Sequence, residues 1–314
     1  MLILAGLFSS QGENRVGGLN NRPRIIPCAI YAPGKRITQL VIEGKNVPGV
    51  LAKIASKIAE HKVNILSGMI TAEPGKDTGI LTLFLDLTDS KLKPEELVEE
   101  LKALDVVLNA EVIVKKFGDI AIDGTTYTTL FLGERIVMLD VDDVGAMFDW
   151  LDKTFGSGGH AILFDMGEAV GRESAKKLKE SYGLKGCDLI EAFLALHIAA
   201  GWFGYEVVEC DEEELRFVIR LHGNFECTPF IGKRDRPVSH LIRGVLAGVF
   251  KEAYGRDFRV REVKCIAKGD EYCEFIIEQA TKHSQPYEKA QGDVAVSTTR
   301  PYRSEKPAPG PRPS

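Results

Sequence analysis

Cys265 and Cys273 stand at equal distances from Gly269 in the run REVKCIAKGDEYCEF, residues 261–275. A hairpin turning at Lys268-Gly269-Asp270 makes the two cysteines direct cross-strand neighbours, with Cβ atoms about 4.5–5.5 Å apart. Two thiolates at that separation can share a tetrahedral zinc ion, which takes sulfur at about 2.3 Å. The same pair can instead be buried thiols packed as small hydrophobes, or an oxidised pair. Other chemistries leave little trace. The sequence contains no Gly-x-Ser-x-Gly elbow, phosphate-binding loop, His-Glu-x-x-His helix or dinucleotide fingerprint. Gly156-Ser157-Gly158-Gly159 has no following Lys-Ser/Thr and reads as a break between a helix and a strand. Cys187 and Cys210 have no evident activating partner, and Asp165 and Glu168 read as caps at a strand-to-helix turn. The expectation is a protein that is not an enzyme.

The chain that must position these residues has 314 of them, 44% hydrophobic and 27% charged, which excludes a wholly disordered, collagenous or membrane-embedded class. That length favours two domains over one core. A net charge of −5 and a pI of about 5.8 argue against coating nucleic acid by bulk electrostatics. Six cysteines are too sparse for a secreted disulfide scaffold and predict a reducing, cytoplasmic setting. No apolar run approaches the roughly 18–20 residues of a membrane-spanning helix. Residues 1–8 are apolar with no cationic segment before them, and the polar run 9–24 follows, so 1–35 reads as a poorly ordered start. Residues 280–314 read as a disordered tail; from residue 281 it carries six of the fourteen prolines and almost no apolar residues.

Residues 36–43 read as a strand, and Asn46 can cap the helix that follows, with Pro48 in its first turn. Val50, Leu51, Ile54, Ala55, Ile58 and Ala59 recur at helical spacing. A strand at 63–72, a turn at 73–77 and a strand at 80–87 come next, the last with Leu81, Leu83, Leu85 and Leu87 on one face. A helix at 94–104 and a strand at 110–116 complete a βαββαβ, ferredoxin-like order. The segment NVPGVLAKIASKIAEHKVNI, residues 46–65, resembles the signature of the ACT domain, a small regulatory module that commonly binds amino acids. The resemblance implies an ACT-like domain over 36–118 that often pairs as a dimer. It implies a ligand site formed by Asn46, Val47, Gly49, Val50, Asn64 and Ile65, although family members usually carry an acid where this chain has Asn46.

After a linker at 119–134, Val144, Met147, Phe148, Leu151 and Phe155 mark a helix. A strand at 160–166, helices near 168–182 and 188–200, strands at 205–211 and 215–222, a helix at 238–254 and strands at 259–267 and 272–279 follow. The whole reads as an α+β protein, with a mixed second domain at 135–279 built on antiparallel strand pairs. The segments DMGEAVGRE (165–173), SHLIRGVLAGVFKEAYGR (239–256) and REVKCIAKGDEYCEF resemble the 4-vinyl reductase domain, a sensor module for hydrocarbon or aromatic molecules.

This second resemblance implies that Glu262 joins Cys265 and Cys273 as a metal ligand, which in a regular strand requires a bulge or a strand end. Relatives place a further cysteine where this chain has Ser239, and His240 or Cys227 is chemically able to replace it. The metal would be structural zinc. A sensor also needs an apolar cavity with a few polar groups. His197, Trp202, Phe203, Phe217 and His222 supply such groups, although either histidine can equally be a core residue bonded to a backbone carbonyl. Gly244 and Gly248 permit close packing on one helix face, against either a cavity or a subunit. Together these features predict a cytoplasmic, homodimeric, ligand-responsive regulator acting through an unknown protein partner, without membrane or direct nucleic-acid binding. The alternatives are a dimeric assembly adaptor without a ligand and an enzyme subunit using the apolar pocket.

Overall fold

The computed structural model describes residues 23–113, 115–126 and 128–280. The readings made for 1–22 and 281–314 lie outside the described residues. Two compact units meet in sequence at Met138 and Leu139, and each is taken by itself.

The first unit has the expected βαββαβ order. Strand β1 (Ala29–Tyr31) precedes β2 (Ile37–Lys45), α1 (Val50–Glu60), β3 (Asn64–Thr71), β4 (Thr78–Asp86), α2 (Pro94–Lys102) and β5 (Val107–Ile113). The antiparallel sheet runs β3-β4-β2-β5. Its helix-covered face buries Leu40, Ile42, Leu83 and Leu85 against Ile54, Ile58, Leu97 and Leu101, as the period-2 and helical patterns require. Phe84 and Ile37 are buried too, against Ala121 and Ile30. That contact arises because β1, from the supposed poorly ordered start, pairs with β7 (Ile120–Ile122) from the supposed linker, with β6 (Lys116–Phe117) beside them. A two-stranded hairpin, β8 (Thr129–Phe131) and β9 (Glu134–Ile136), ends the unit.

Asn46 does not cap α1. Gly49 holds the N-cap position at φ +89°, a left-handed conformation that favours glycine, while the Asn46 amide donates to the Lys76 carbonyl at 2.9 Å.

The second unit comprises α3 (Val141–Phe155), α4 (Ser157–Tyr182), α5 (Gly186–Ala199), β10 (Gly204–Asp211), β11 (Arg216–His222), α6 (His240–Tyr254), β12 (Phe258–Lys264) and β13 (Cys273–Gln279). Its antiparallel sheet runs β10-β11-β13-β12. The expected strand at 160–166 lies inside α4 instead, and Gly156 at φ +52° separates two helices rather than a helix and a strand. Asp165 and Glu168 are accordingly mid-helix residues. Helix α4 crosses α6 through glycines. A Cβ on Gly167 or Gly171 would penetrate the carbonyl oxygens of Leu241 or Val245, and one on Gly244 or Gly248 would penetrate those of Phe164 or Glu168. The two α6 glycines thus pack on a helix of their own chain. Cys187 and Cys210 are joined as a disulfide, so the reading of six reduced cysteines does not hold. No described helix is long and apolar enough to cross a membrane.

Candidate metal centre and ligand regions

Four donors converge beneath the start of α6. Cys227 enters from the loop after β11, Glu262 from β12, Cys265 from the residue after that strand, and Cys273 from the first position of β13. The pairing of β12 with β13 skips a residue between Glu262 and Lys264, leaving Val263 as the extra one. This is the bulge that brings Glu262 and Cys265 to one side. Gly269, at φ +97°, makes the turn that returns the chain to Cys273.

The donor atoms all lie within 4.8 Å of one another, and the three cysteines are fully buried. Cys227 Sγ stands 3.5 Å from Cys265 Sγ. Two sulfurs on one tetrahedral zinc stand about 3.8 Å apart, as the 2.3 Å bond length requires, so the set fits the ion. Hydrogen bonds from Cys227 and Cys273 drive Cys265 toward its thiolate, while bonding to Cys265 holds the Cys227 thiol high. Burial, with the Cys265 charge added, pushes the Glu262 carboxyl up to about 9. Such a shared, buried set binds protons or a cation as one unit.

Ser239 is fully buried but supports the set rather than extending it. Its hydroxyl donates to Glu262 Oε1 at 2.7 Å and accepts from Asn224 Nδ2 at 2.9 Å, and its backbone N–H donates to Glu262 Oε2 at 3.0 Å. The Asn224 amide also lies 3.6 Å from Cys227 Sγ and 3.8 Å from Cys273 Sγ, placed to offset thiolate charge. His240 stays outside: its Nδ1 accepts from Arg243 at 2.9 Å and its ring stacks on His160 at 3.9 Å. Asn224 and Glu226 carry no spacing signal and escaped sequence reasoning. Glu226, 1% exposed, accepts the Leu241 and Ile242 N–H groups at 2.8 Å each, closing the α6 N-terminus. Burial outweighs those two bonds and raises its carboxyl to about 8.

The residues expected to line an apolar pocket separate into three groups. His197 donates from Nδ1 to the Phe193 carbonyl at 2.7 Å, and burial lowers its pKa. Its ring packs on Trp202 at 4.5 Å and Phe203 at 6.0 Å. Phe217 joins Phe250, Tyr254 and Phe258, whereas His222 stands beside Tyr272 at 5.7 Å.

The ACT-type residues also divide. Asn46, Val47, Gly49 and Val50 lie beyond the end of β2, where Lys45 faces Thr78. Asn64 and Ile65 open β3 beside Asp86 and Leu85, at the opposite end of the sheet. Eight residues of strand separate those ends, or roughly 25 Å.

The two units carry two family signatures: residues 38–106 match the ACT domain and residues 217–279 the 4-vinyl reductase domain. The chain is thus a fusion of a regulatory-type ACT module with a 4-vinyl reductase module. An uncharacterized protein of Methanocaldococcus jannaschii is 28% identical over 124 residues, which cover 40% of this chain and 67% of that one. Among solved structures, the phenol-responsive sensory domain of the transcription activator PoxR, with phenol, is 19% identical. It covers 48% of this chain and 79% of its own, with a TM-score of 0.44. A vinyl-4-reductase family protein from Methanocaldococcus jannaschii is 20% identical, covers 46% and 85%, and has a TM-score of 0.33.

Proposed function

We propose that this protein is a non-catalytic, cytoplasmic, ligand-responsive regulator, in which the 4-vinyl reductase unit takes a small apolar or aromatic molecule and the ACT unit an amino acid. The observation that carries this reading is the closed character of the one concentrated chemical site among the described residues. Cys227, Cys265 and Cys273 are fully buried and, with Glu262, already number four protein donors. A catalytic zinc keeps a coordination position open, whereas a structural one does not. Zinc on these four residues would supply cross-linking of β12 and β13 to the loop ahead of α6, not an activated water. Native mass spectrometry of the purified chain tests the sensor reading: a retained small molecule supports it, and an empty protein indifferent to aromatic and aliphatic additives contradicts it.

The separation of the ACT residues supports a homodimer. Asn46 and Asn64 cannot reach one small ligand within a single chain, so one amino-acid site needs Asn46, Val47, Gly49 and Val50 from one copy and Asn64 and Ile65 from another. Edge strand β3 leaves Ile65, Leu66, Met69 and Ile70 exposed for such pairing. Light scattering is expected to give twice 34.5 kDa; a monomer at micromolar concentration contradicts it.

An assembly adaptor is the second reading. It is favoured by the apolar residues exposed along α3 and α4, among them Met147, Trp150, Ile162 and Met166. An adaptor binds its protein partner with or without small molecules, whereas a regulator's partner binding changes with them.

A further inference from the structure

A cavity of about 90 Å³ opens between α3, α4 and the start of α6, apart from the His197 aromatic group. Phe148, Leu163, Phe230 and Val238 form its apolar wall. The charged groups nearby are committed to each other: Asp149 pairs with Arg234 at 2.7 Å, and Asp152 with His160 at 2.6 Å. A ligand here meets no charge that calls for neutralising.

One donor in the wall is unspent. Arg243 can only donate, so its 2.9 Å bond to His240 Nδ1 fixes that nitrogen as the acceptor and leaves the proton on Nε2. Nε2 is buried without a hydrogen-bond partner. A buried N–H left unpaired forfeits its hydration with nothing in return, so its persistence calls for an acceptor. An acceptor with capacity to spare also lines the space. Each oxygen of the Glu226 carboxylate takes one backbone N–H, which leaves a lone pair on each.

We propose that this cavity binds a small neutral alcohol, whose hydroxyl oxygen accepts from His240 Nε2–H, whose hydroxyl proton is donated to Glu226, and whose carbon chain lies on Phe148, Leu163, Phe230 and Val238. The volume is below the ~150 Å³ that takes benzene, which sets the size at a short aliphatic chain. The site rests on the sensor reading and places its ligand at the neighbour of each of two buried residues: Glu226 precedes Cys227, and His240 follows Ser239. Occupancy is therefore felt at the metal centre through the backbone.

Butan-1-ol and its isomer diethyl ether separate hydroxyl recognition from mere filling, because the ether accepts but cannot donate. In nitrogen–proton NMR of the full chain, butan-1-ol is expected to shift the His240 ring nitrogens and the Leu241 and Ile242 amides saturably. It should do so about tenfold more tightly than the ether, the difference of one hydrogen bond. Val238→Phe fills the space and is expected to abolish the shifts, with Phe148→Trp as a second filler should the first lower the melting temperature. His240→Phe is expected to weaken binding about tenfold, and His240→Gln, which restores an N–H donor, to recover most of it. Equal affinity for the two isomers, shifts that persist in both filled variants, or no saturable shift overturns the proposal. A molecule still retained by Val238→Phe in native mass spectrometry overturns this site and leaves the sensor reading standing.

Discussion

Ser239 grips both oxygens of Glu262, its hydroxyl donating to Oε1 at 2.7 Å and its backbone N–H to Oε2 at 3.0 Å. The residue ahead of α6 is thereby tied to the bulged strand β12, and the carboxylate is held facing Cys265. Where the sequence resemblance leads one to expect a fourth ligand, the hydroxyl instead orients a ligand, and Cys227 arrives from a different loop to complete the set.

Ser239→Ala is therefore expected to destabilise the 4-vinyl reductase unit by about 1–2 kcal/mol through the lost hydrogen bonds, while zinc content changes little. Denaturant unfolding and elemental analysis of the same sample check the two halves. Loss of the metal in this variant would make Ser239 a ligand.

Gly171→Ala is expected to cost about 3 kcal/mol or more, because the new methyl meets the Val245 carbonyl of α6 with backbone on both sides. Circular dichroism during urea unfolding measures it. A change within about 0.5 kcal/mol, the scatter of ordinary surface substitutions, would mean that the helices are not in this contact.

The same glycines explain what the sequence concealed. The buried stripe of α4 is Gly159, Leu163, Gly167, Gly171, Ala175 and Leu178, so its inward face is marked by small size and not by hydrophobicity. A short apolar run then reads equally well as a strand, and 160–166 was open to either assignment. The ACT sheet was legible because Leu81, Leu83, Leu85 and Leu87 alternate without interruption. The hairpin holding Cys265 and Cys273 was legible because both donors lie near one turn. Cys227 lies 38 residues before Cys265, and only the path of β11 brings it back. Asn64 sits close to Asn46 in sequence yet at the far end of the sheet, since α1 runs the length between them.

Stability of the ACT unit should fall on its acid side through Asp86. Burial raises this carboxyl, but the Thr88 backbone N–H and hydroxyl and the Lys35 ammonium outweigh it and hold the group below the usual aspartate range. A depressed native pKa gives stability that is present above the unfolded value of about 3.9 and lost as pH falls through the native one. Asp86→Asn is expected to lose on the order of 1 kcal/mol at pH 7 and to converge with the parent in strong acid. Unfolding midpoints at the two pH values test the sign; a constant difference would contradict it.

Reduction of Cys187–Cys210 releases a loop whose ends are 23 residues apart and is expected to cost the 4-vinyl reductase unit about 3 kcal/mol. Calorimetry with and without reductant should show one transition moving by several degrees and the ACT transition fixed. If neither moves, the bridge contributes nothing to stability.

The metal clamp is tested most directly by zinc analysis of the chain purified without added metal, beside Cys227→Ser. The account predicts about one equivalent in the parent, a large loss in the variant, and a 4-vinyl reductase unit that melts earlier in chelator, because binding the ion is part of folding the unit. Less than about a tenth of an equivalent in the parent, with thermal stability unchanged by chelator, would contradict it.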